Sequence, residues 1–422
     1  MSTTTPTDAG QTIYTEQHRC RVSGSEHLVP VLSLGVQALT GVFPASPDQP
    51  VARGPLELVW CPESALLQLR HTYRPELMYG ENYGYRSGLN GSMVRHLKRK
   101  ATVLTGLARL ETGDLVVDIG SNDATLLKAY EVPGLRRIGV DPTGEKFREY
   151  YTRETELIPD FFSRRCLQTV CGETRAKVVT SIAMFYDLQD PIAFARDVHD
   201  VLDDDGIWHL EQSYLPSMLR MNSYDTVCHE HIEYYSLSAV LVILEAAELR
   251  ALDVSLNDVN GGSFAVTAAR KSSRLESNRQ LLDWVVRQES QLGLATPRPY
   301  RDFEERVFRH RRELVRLVRG LRARGKRIFG YGASTKGNVL LQFCGFGPDD
   351  IECIAEVNPD KFGCFTPGTK IPIVAESEAR QREPDYFLVL PWHFRAGILE
   401  RETDFLAGGG RMIFPLPEIE VV

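Results

Sequence analysis

Hydrophobic and polar positions along this chain predict short strands first, and then a repeated exchange of strands and helices. Strands are predicted at residues 29–34 and 56–60, and a helix over 93–107. Apolar runs of strand length then alternate with helical spacing, with strands expected at 114–119, 137–141, 177–183, 207–211 and 263–269 and a helix over 236–249. This order predicts an α/β protein with a small β-rich module at its start.

The remaining part of the chain repeats the strand, glycine turn and helix pattern. Helical spacing covers residues 275–292 and 300–322, and a strand, a glycine turn and a helix are predicted over 327–341. Further strands are expected at 351–357, 386–390 and 411–415. We therefore expect two Rossmann-like units after the β-rich module, with domains at 11–75, 76–250 and 251–422.

Length and charge limit the classes of partner. A chain of 422 residues with 43% hydrophobic content is long enough for more than one core. Its net charge of -7 argues against nucleic acid or an anionic membrane as the main partner. The basic run at 306–327 has apolar residues at helical spacing, which predicts an amphipathic helix whose arginines form the solvated face. Without a membrane-length apolar run or a signal-peptide core, we expect a cytoplasmic protein, and a monomer is compatible with the sequence.

The first glycine turn favours S-adenosylmethionine over NAD. Asp118 and Gly120 end a buried strand, and Asp141 ends the next, where a carboxylate accepts ribose hydroxyls. A dinucleotide turn uses several glycines because a pyrophosphate must approach the backbone, whereas residues 120–124 contain one glycine and an acid. An acid suits a cationic sulfonium and an amino group.

The second glycine turn has the opposite character. Lys336 stands in it with the hydroxyl or amide groups of Ser334, Thr335 and Asn338. These groups at a helix N-terminus suit an anionic diphosphate. The alternative is a Rossmann remnant with a solvated lysine.

Residues 223–236 contain the densest group of reactive side chains. His229 and His231 alternate with Glu230, so an extended strand would place both imidazoles on one face. A histidine there can act as a base near neutral pH, since its ordinary pKa is about 6.5. The alternative is a metal-free, hydrogen-bonded polar loop with a structural histidine.

The run His-Glu-His-Ile-Glu-Tyr-Tyr-Ser at 229–236 resembles the signature of the S-adenosylmethionine-dependent sugar C-methyltransferases, three-domain enzymes that methylate a carbon of nucleotide-linked 4-keto deoxysugars in antibiotic pathways. The loop at 78–90 and the turn at 327–341 are also similar to this family, and the resemblance extends from about Cys20 to Val421. Ala124 stands where the family usually has glycine, and Cys228 where some members have tyrosine.

The resemblance implies a role for each group of residues. Tyr83 and Tyr85 would line the methyl-transfer site. The methionine part of the cofactor would contact Asp118, Gly120 and Asn122, with Asp141 at the ribose and Asp160 and Phe161 at the adenine. A nucleotide sugar, expected to be dTDP-linked, would bind the last domain, where the candidate residues are Tyr331, Lys336, Asn338, Asn358 and His393.

The family's N-terminal zinc module is only half preserved. Cys20 and Cys61 begin two knuckles, but Ser23 and Ser64 occupy the second position of each. A hydroxyl does not supply the anionic soft ligand that a thiolate supplies. His18, His27 or His71 could complete a site only by unusual spacing, so we expect no zinc and a metal-free β-rich fold.

The resemblance implies C-methylation next to a ketone, with C-3 of the sugar as the expected carbon. His231 would remove the proton, while Glu230, His229 and Tyr83 orient the sugar or bond the enolate oxygen. Two alternatives stay open: an O-methyltransferase acting on a sugar or small molecule, and a non-catalytic sugar-nucleotide-binding protein. Lys336 argues against the first, and the retained His231, Glu230 and Asp141 argue against the second.

Overall fold

The computed structural model describes residues 12–78 and 85–422 and confirms a mixed α/β fold that begins with a β-rich unit. The first unit contains β1 (Tyr14–Glu16), β2 (Val29–Ala38), β3 (Arg53–Trp60), β4 (Leu67–Leu69), β5 (His71–Tyr73) and the short helix α1 (Pro75–Met78). Strands β2, β3 and β4 form an antiparallel sheet, and β1 pairs with β5. The strands predicted at 29–34 and 56–60 are confirmed as parts of β2 and β3.

The second unit is a seven-stranded sheet covered by helices. Its elements are α2 (Gly91–Ala108), β6 (Leu115–Ile119), β7 (Arg136–Val140), β8 (Thr155–Ile158), α3 (Arg164–Cys171), β9 (Ala176–Ile182), α4 (Pro191–Val201), β10 (Leu202–Ser213), α5 (Leu215–Arg220), β11 (Glu233–Tyr234), α6 (Leu237–Ala246), β12 (Leu249–Asn257) and β13 (Ser263–Arg270). Of these, β11 leaves the unit and pairs with β4 of the first one.

The strand order of this sheet is β12-β13-β10-β9-β6-β7-β8. Strand β13 runs antiparallel to both neighbours, and the other strands are parallel. All five residues of β6 are buried, as expected for a central parallel strand covered on both faces. Because β12 and β13 complete this sheet, it continues to Arg270, past residue 250, where the sequence analysis ended the domain.

The third unit contains a six-stranded sheet. Its elements are α7 (Arg279–Leu292), α8 (Arg298–Ala323), β14 (Ile328–Tyr331), α9 (Thr335–Cys344), β15 (Ile354–Glu356), β16 (Ile373–Ala375), α10 (Glu376–Gln381), β17 (Tyr386–Val389), α11 (Arg395–Arg401), α12 (Thr403–Ala407), β18 (Arg411–Phe414) and β19 (Glu420–Val421). The strand order is β16-β15-β14-β17-β18-β19, parallel except for the last strand. Two Rossmann-like units are therefore present.

Helix α8 joins the first and third units. Phe303, Val307 and Leu314 are fully buried on its apolar face, while its arginines lie mostly towards solvent. The ring of Tyr300, at the start of α8, lies 5.0 Å from the ring of Trp60 in β3. One hydrophobic core thus contains side chains of the first sheet and of the third unit. No helix among the described residues is long and apolar enough to cross a membrane.

Candidate active site

A cavity of about 880 Å³ lies where the three units meet. Gly41 and Phe43 of the first unit contribute to its wall. The glycine turns that follow β6 and β14 line it from the other two units. In open α/β sheets ligands bind at the carboxyl ends of the strands, and here two such ends open into one space.

The first glycine turn is held by Asp141, the acid that directly follows β7. Gly120 has a φ of +75°, and a Cβ added there would lie 3.0 Å from Cγ of Met184. The backbone N–H of Asn122 donates to Oδ2 of Asp141 at 2.7 Å, and both the N–H and the hydroxyl of Thr143 donate to Oδ1 at 2.7 Å. Asp141 is thereby oriented at the cavity wall.

Asp118 lies beside this turn and is 4% exposed. Its Oδ1 accepts a hydrogen bond from the Thr180 hydroxyl at 2.6 Å. Burial raises the pKa of Asp118 to about 7, and the charge of Asp141 adds to this effect although the Thr180 bond opposes it. Both Asp118 and Asp141 line the cavity, as expected for a cationic ligand.

The acid inside the turn has a different role from the one expected. The carboxylate of Asp123 accepts hydrogen bonds from the N–H of Gly88 at 2.9 Å and the hydroxyl of Thr125 at 2.5 Å. Asn122 accepts from the N–H of Ser87 at 2.9 Å and donates to the carbonyl of Tyr85 at 3.1 Å. Asp123 therefore holds the segment 85–90 against the turn by hydrogen bonding and does not line the cavity.

The aromatic residues of the predicted site are only partly placed. Tyr85 is half exposed and lines the cavity, and Phe161 lines it with 53% of its surface exposed. Asp160 is exposed and does not contribute to the wall; its Oδ1 accepts from the N–H of Phe161. Tyr83 lies outside the described residues.

The two histidines of the central motif do not share a face. Residues 229–231 form an irregular loop before β11, so the alternation expected of a strand is absent. His229 is 1% exposed, its ring packs edge-on against Tyr73 at 4.7 Å, and its Nε2 lies 3.5 Å from the carbonyl of Gly54. His229 thus packs in the first unit, whereas His231 and Glu230 line the cavity.

His231 has the hydrogen bonding of a neutral base. Its Nδ1 lies 3.0 Å from the carbonyl oxygen of Thr226, which can only accept, so Nδ1 carries the proton. Its ring stacks obliquely on Tyr186 with 4.3 Å between centroids. Burial lowers the pKa of His231 to about 3, and the positive charge of Lys336 contributes further. Nε2 is left as an unprotonated acceptor.

Glu230 is a carboxyl group with a strongly altered pKa. Burial raises the pKa of Glu230 to about 7, so part of it is protonated at neutral pH. A methyl group on Gly41 would collide with its Oε1, so the first unit presses directly on this side chain. Cys228, Glu230 and His231 each have one side-chain atom that could coordinate a metal, and these three atoms lie within 4.8 Å of one another. Cys228 thus occupies the same corner as the two polar residues.

Lys336 reaches this corner from the third unit. Its Nζ donates to the carbonyl of Asn260 at 3.0 Å, and its charge acts on Asp225, His231 and His393. Asp225 is 1% exposed and accepts from the indole N–H of Trp392 at 2.7 Å. Burial lowers the pKa of Lys336, and that of His393 falls well below its ordinary value through burial and the Lys336 charge. Lys336 is therefore not a solvated surface lysine.

The remaining predicted contacts of the third unit divide into two groups. Tyr331, Asn358 and His393 line the cavity, and the Tyr331 hydroxyl donates to Glu402 at 2.9 Å. Asn338 is fully buried in α9 and donates to the carbonyl of Thr40 at 2.8 Å. Asn338 thus ties α9 to the first unit and does not contribute to the cavity wall.

Two residues at the end of β10 were missed by the sequence analysis. Glu211 is 2% exposed, lines the cavity and accepts from His96 at 2.5 Å and Lys100 at 2.7 Å. Burial would raise its pKa, but these two partners lower it to about 2. The amide of Gln212 also lines the cavity, with neither polar atom hydrogen-bonded within the described chain. An acid at the end of the predicted strand 207–211 was the signal.

The knuckles of the first unit do come together, although the donor set does not suit zinc. Ser64 Oγ lies 3.1 Å from the Cys20 sulfur, and Ser23 Oγ lies 3.3 Å from the Cys61 sulfur. The Cys61 thiol also lies 3.2 Å from a carboxylate oxygen of Glu63. Two thiols hydrogen-bonded to two hydroxyls leave only two strong ligands, and a structural zinc site needs four.

Comparison with known proteins gives consistent matches along the chain. Three family models match: "Putative zinc binding domain" at residues 20–79, "Methyltransferase domain" at 93–254 and "C-methyltransferase C-terminal domain" at 258–417. C-methyltransferase NovU of Streptomyces niveus is 34% identical over 406 residues, covering 96% of each chain.

Solved structures match the methyltransferase region more weakly. Mitomycin 7-O-methyltransferase MmcR is 19% identical over 46% of this chain and 57% of its own, with a TM-score of 0.36. CcbJ methyltransferase of Streptomyces caelestis is 12% identical over 41% of this chain and 89% of its own, with a TM-score of 0.32. At these scores the overlays add nothing to the family matches.

Proposed function

Because the chain belongs to the C-methyltransferase family and is an S-adenosylmethionine-dependent C-methyltransferase, we propose that it methylates C-3 of a nucleotide-linked 4-keto deoxysugar. The expected substrate is dTDP-linked, and the reaction belongs to deoxysugar or antibiotic biosynthesis. One observation carries the proposal: a single cavity joins the glycine turn beside Asp141 to the turn beside Lys336, with His231 lining the same space.

The residues around Gly120 suit the cofactor. Asp141 offers negative charge to a cationic ligand, and Asp118, with a pKa raised to about 7 by burial, is ionised in part at neutral pH. Asp141 still has an oxygen with a single donor for a ribose hydroxyl. Phe161 offers an exposed ring for an adenine. Bound there, S-adenosylmethionine supplies an electrophilic methyl group. The hydrogen bonds that Asn122 and Asp123 make with the segment 85–90 bring Tyr85 to the same part of the cavity.

His231 is the proposed base. Its Nδ1 is committed to the Thr226 carbonyl, so Nε2 takes the proton from the carbon beside the ketone. A pKa of about 3 makes the free imidazole a weak base, but the same low pKa keeps it unprotonated at every physiological pH. Tyr186 packs against the ring and holds its orientation.

Glu230 and Lys336 are proposed to stabilise the enolate oxygen. A carboxyl group with a pKa of about 7 retains a proton that it can donate in a hydrogen bond, whereas an ordinary glutamate cannot at neutral pH. Lys336 adds a positive charge at the same corner. Cys228 offers no hydroxyl at this corner, so Glu230 and Lys336 are expected to carry this role.

Of the two alternatives, the family assignment argues against O-methylation, since both the third-unit model and the relative are C-methyltransferases. A non-catalytic role would also leave the ordered His231–Thr226 pair without a purpose. The loss of the two zinc-site thiols is compatible with activity, because the module still presses on Glu230.

Mass spectrometry can test the proposed function directly. The protein is incubated with S-adenosylmethionine and a panel of nucleotide-linked sugars, with and without a 4-keto group. A gain of one methyl group only on 4-keto sugars supports the proposal, and fragmentation identifies the carbon. Methylation of sugars that lack the keto group would contradict it, because no enolate can form there.

A further inference from the structure

The two glycine turns that face the cavity are built alike. Gly120 and Gly332 have φ values of +75° and +78°, and the N–H of each donates at 2.8 Å to the carbonyl at the end of the neighbouring strand, Val140 or Ala355. In each unit the residue that follows this strand position is an acid, Asp141 or Glu356. The third unit thus repeats the cofactor-binding turn of the second.

The acid is held in the same way in both turns. The N–H of Ala333 donates to Oε2 of Glu356 at 2.7 Å, as that of Asn122 does to Asp141. The N–H two residues after each acid also donates to it, at 2.8 Å from Asn358 and at 2.7 Å from Thr143. Glu356 is 7% exposed and lines the cavity. It was not among the residues singled out from sequence.

The remaining acceptor positions differ between the two acids. An ionised carboxylate has about four lone-pair positions. Glu356 already accepts three backbone N–H groups, from Ala333, Val357 and Asn358, and none of these can turn away. Asp141 also accepts three bonds, but one comes from the Thr143 hydroxyl, which can rotate. Glu356 therefore offers a single acceptor position, and Asp141 can offer two.

We propose that Glu356 binds one sugar hydroxyl of a nucleoside diphosphate in the third unit. This inference rests on the proposed nucleotide-linked substrate and assigns the residue that orients its nucleoside. The proposed dTDP-linked substrate has a 3′-hydroxyl and no 2′-hydroxyl, so we assign the one acceptor position to the 3′-hydroxyl. The 2′-position then carries no contact, and a 2′-deoxynucleoside binds as well as a ribonucleoside.

The surroundings of Glu356 fit the rest of such a ligand. Lys361 lines the cavity, and its Nζ donates to the carbonyl of Ala333 at 2.8 Å, beside the turn. The same ammonium lies 4.6 Å from the ring centre of Phe43. Helix α9 begins at Thr335 with Ser334 as its cap, so its free N–H groups and Lys361 are placed for a diphosphate.

Calorimetry can test this role with pairs of ligands that differ by one hydroxyl. Thymidine 5′-diphosphate is compared with its 2′,3′-dideoxy analogue, and uridine 5′-diphosphate with 2′-deoxyuridine 5′-diphosphate. In the wild type, loss of the 3′-hydroxyl should weaken binding about tenfold or more, as expected for a hydrogen bond to a charged group. Loss of the 2′-hydroxyl should change affinity by less than about twofold.

Glu356→Gln should bind thymidine diphosphate about tenfold more weakly and no longer distinguish it from the dideoxy analogue. Its affinity for S-adenosylhomocysteine should be unchanged, which also shows that it is folded. Asp141→Asn is the matched control. It should bind S-adenosylhomocysteine more weakly and leave the affinity for thymidine diphosphate unchanged. If Glu356→Gln still binds the dideoxy analogue tenfold more weakly than thymidine diphosphate, the assignment is wrong.

Failure of the assignment and failure of the proposed function give different results. If the wild type binds both thymidine ligands equally, the role of Glu356 is wrong while a nucleotide-linked substrate still stands. If the wild type binds no nucleoside diphosphate, both are wrong. Should Glu356→Gln not fold, equal binding of the two thymidine ligands by the wild type would still overturn the assignment.

Discussion

The carbonyl oxygen of Thr226 lies 3.0 Å from Nδ1 of His231, and this contact decides which imidazole nitrogen carries the proton. A carbonyl cannot donate, so Nδ1 must, and Nε2 stays free. The neighbouring motif residue His229 instead packs its ring against Tyr73 in the first unit, where its Nε2 lies 3.5 Å from the carbonyl of Gly54. The two histidines therefore have separable roles that mutation can distinguish.

His231→Ala should abolish methyl transfer while both ligands still bind. Loss of a positioned base costs about 10² to 10⁴-fold in turnover and little in ground-state affinity. With S-adenosylhomocysteine bound, the wild type should exchange solvent deuterium into the carbon beside the ketone, and the variant should not. His229→Phe, which keeps an aromatic ring at that position, is the control and should exchange normally. Wild-type exchange by His231→Ala would move the base elsewhere.

Turnover should fall as pH rises through about 7, because Glu230 then loses the proton that it donates. Its pKa of about 7 lies above the ordinary value for glutamate, so the protonated form predominates only on the acid side. Glu230→Gln keeps an N–H donor that does not titrate and should remove this alkaline limb while retaining turnover within about tenfold. A profile of turnover against pH, measured for the wild type and for Glu230→Gln in the same buffers, checks this. An unchanged limb in Glu230→Gln would assign the titration to another group.

The purified protein should contain no stoichiometric zinc, since Ser23 and Ser64 replace two thiolates. Elemental analysis of protein purified without chelator measures this directly. The double variant Ser23→Cys, Ser64→Cys should bind one zinc per chain and melt at a higher temperature, because the four side chains already face one another. One zinc per wild-type chain would show that other residues complete the site.

Stability should fall as pH decreases from about 6.5 to about 4, in part because His229 is buried in its neutral form. Burial lowers the pKa of His229 to about 4, so in this window the unfolded chain binds a proton that the folded chain does not. The difference from the ordinary value corresponds to about 3 kcal/mol of unfolding free energy. His229→Phe should reduce the slope of urea-determined stability against pH, and an identical slope would exclude His229 as the source.

The strand and turn patterns predicted the fold well, because buried parallel strands and glycine turns are set by local sequence. The rule that places an acid at the end of the second strand holds for Asp141, directly after β7, and equally for Glu356, the last residue of β15. The prediction at 351–357 extended the strand past the acid and so hid it.

The candidate site was harder to predict because long-range packing decides where each side chain faces. His229 and His231 were expected on one face of a strand, but β11 begins only at Glu233, so the loop before it separates them. Asn338 was expected at the ligand, yet it bonds Thr40, a partner far away in sequence. Neither partner can be read from local spacing.

The absence of a side chain at Gly41 makes room for Glu230 across a boundary between units. Such a contact restricts how the chain can be recombined. A chimera that takes its first unit from a relative with any other residue at this position would force the carboxyl group out of place, even if each unit folded perfectly. Exchange of modules between members of this family should therefore succeed only where the donor carries glycine here, which makes one small residue a compatibility requirement for an entire domain.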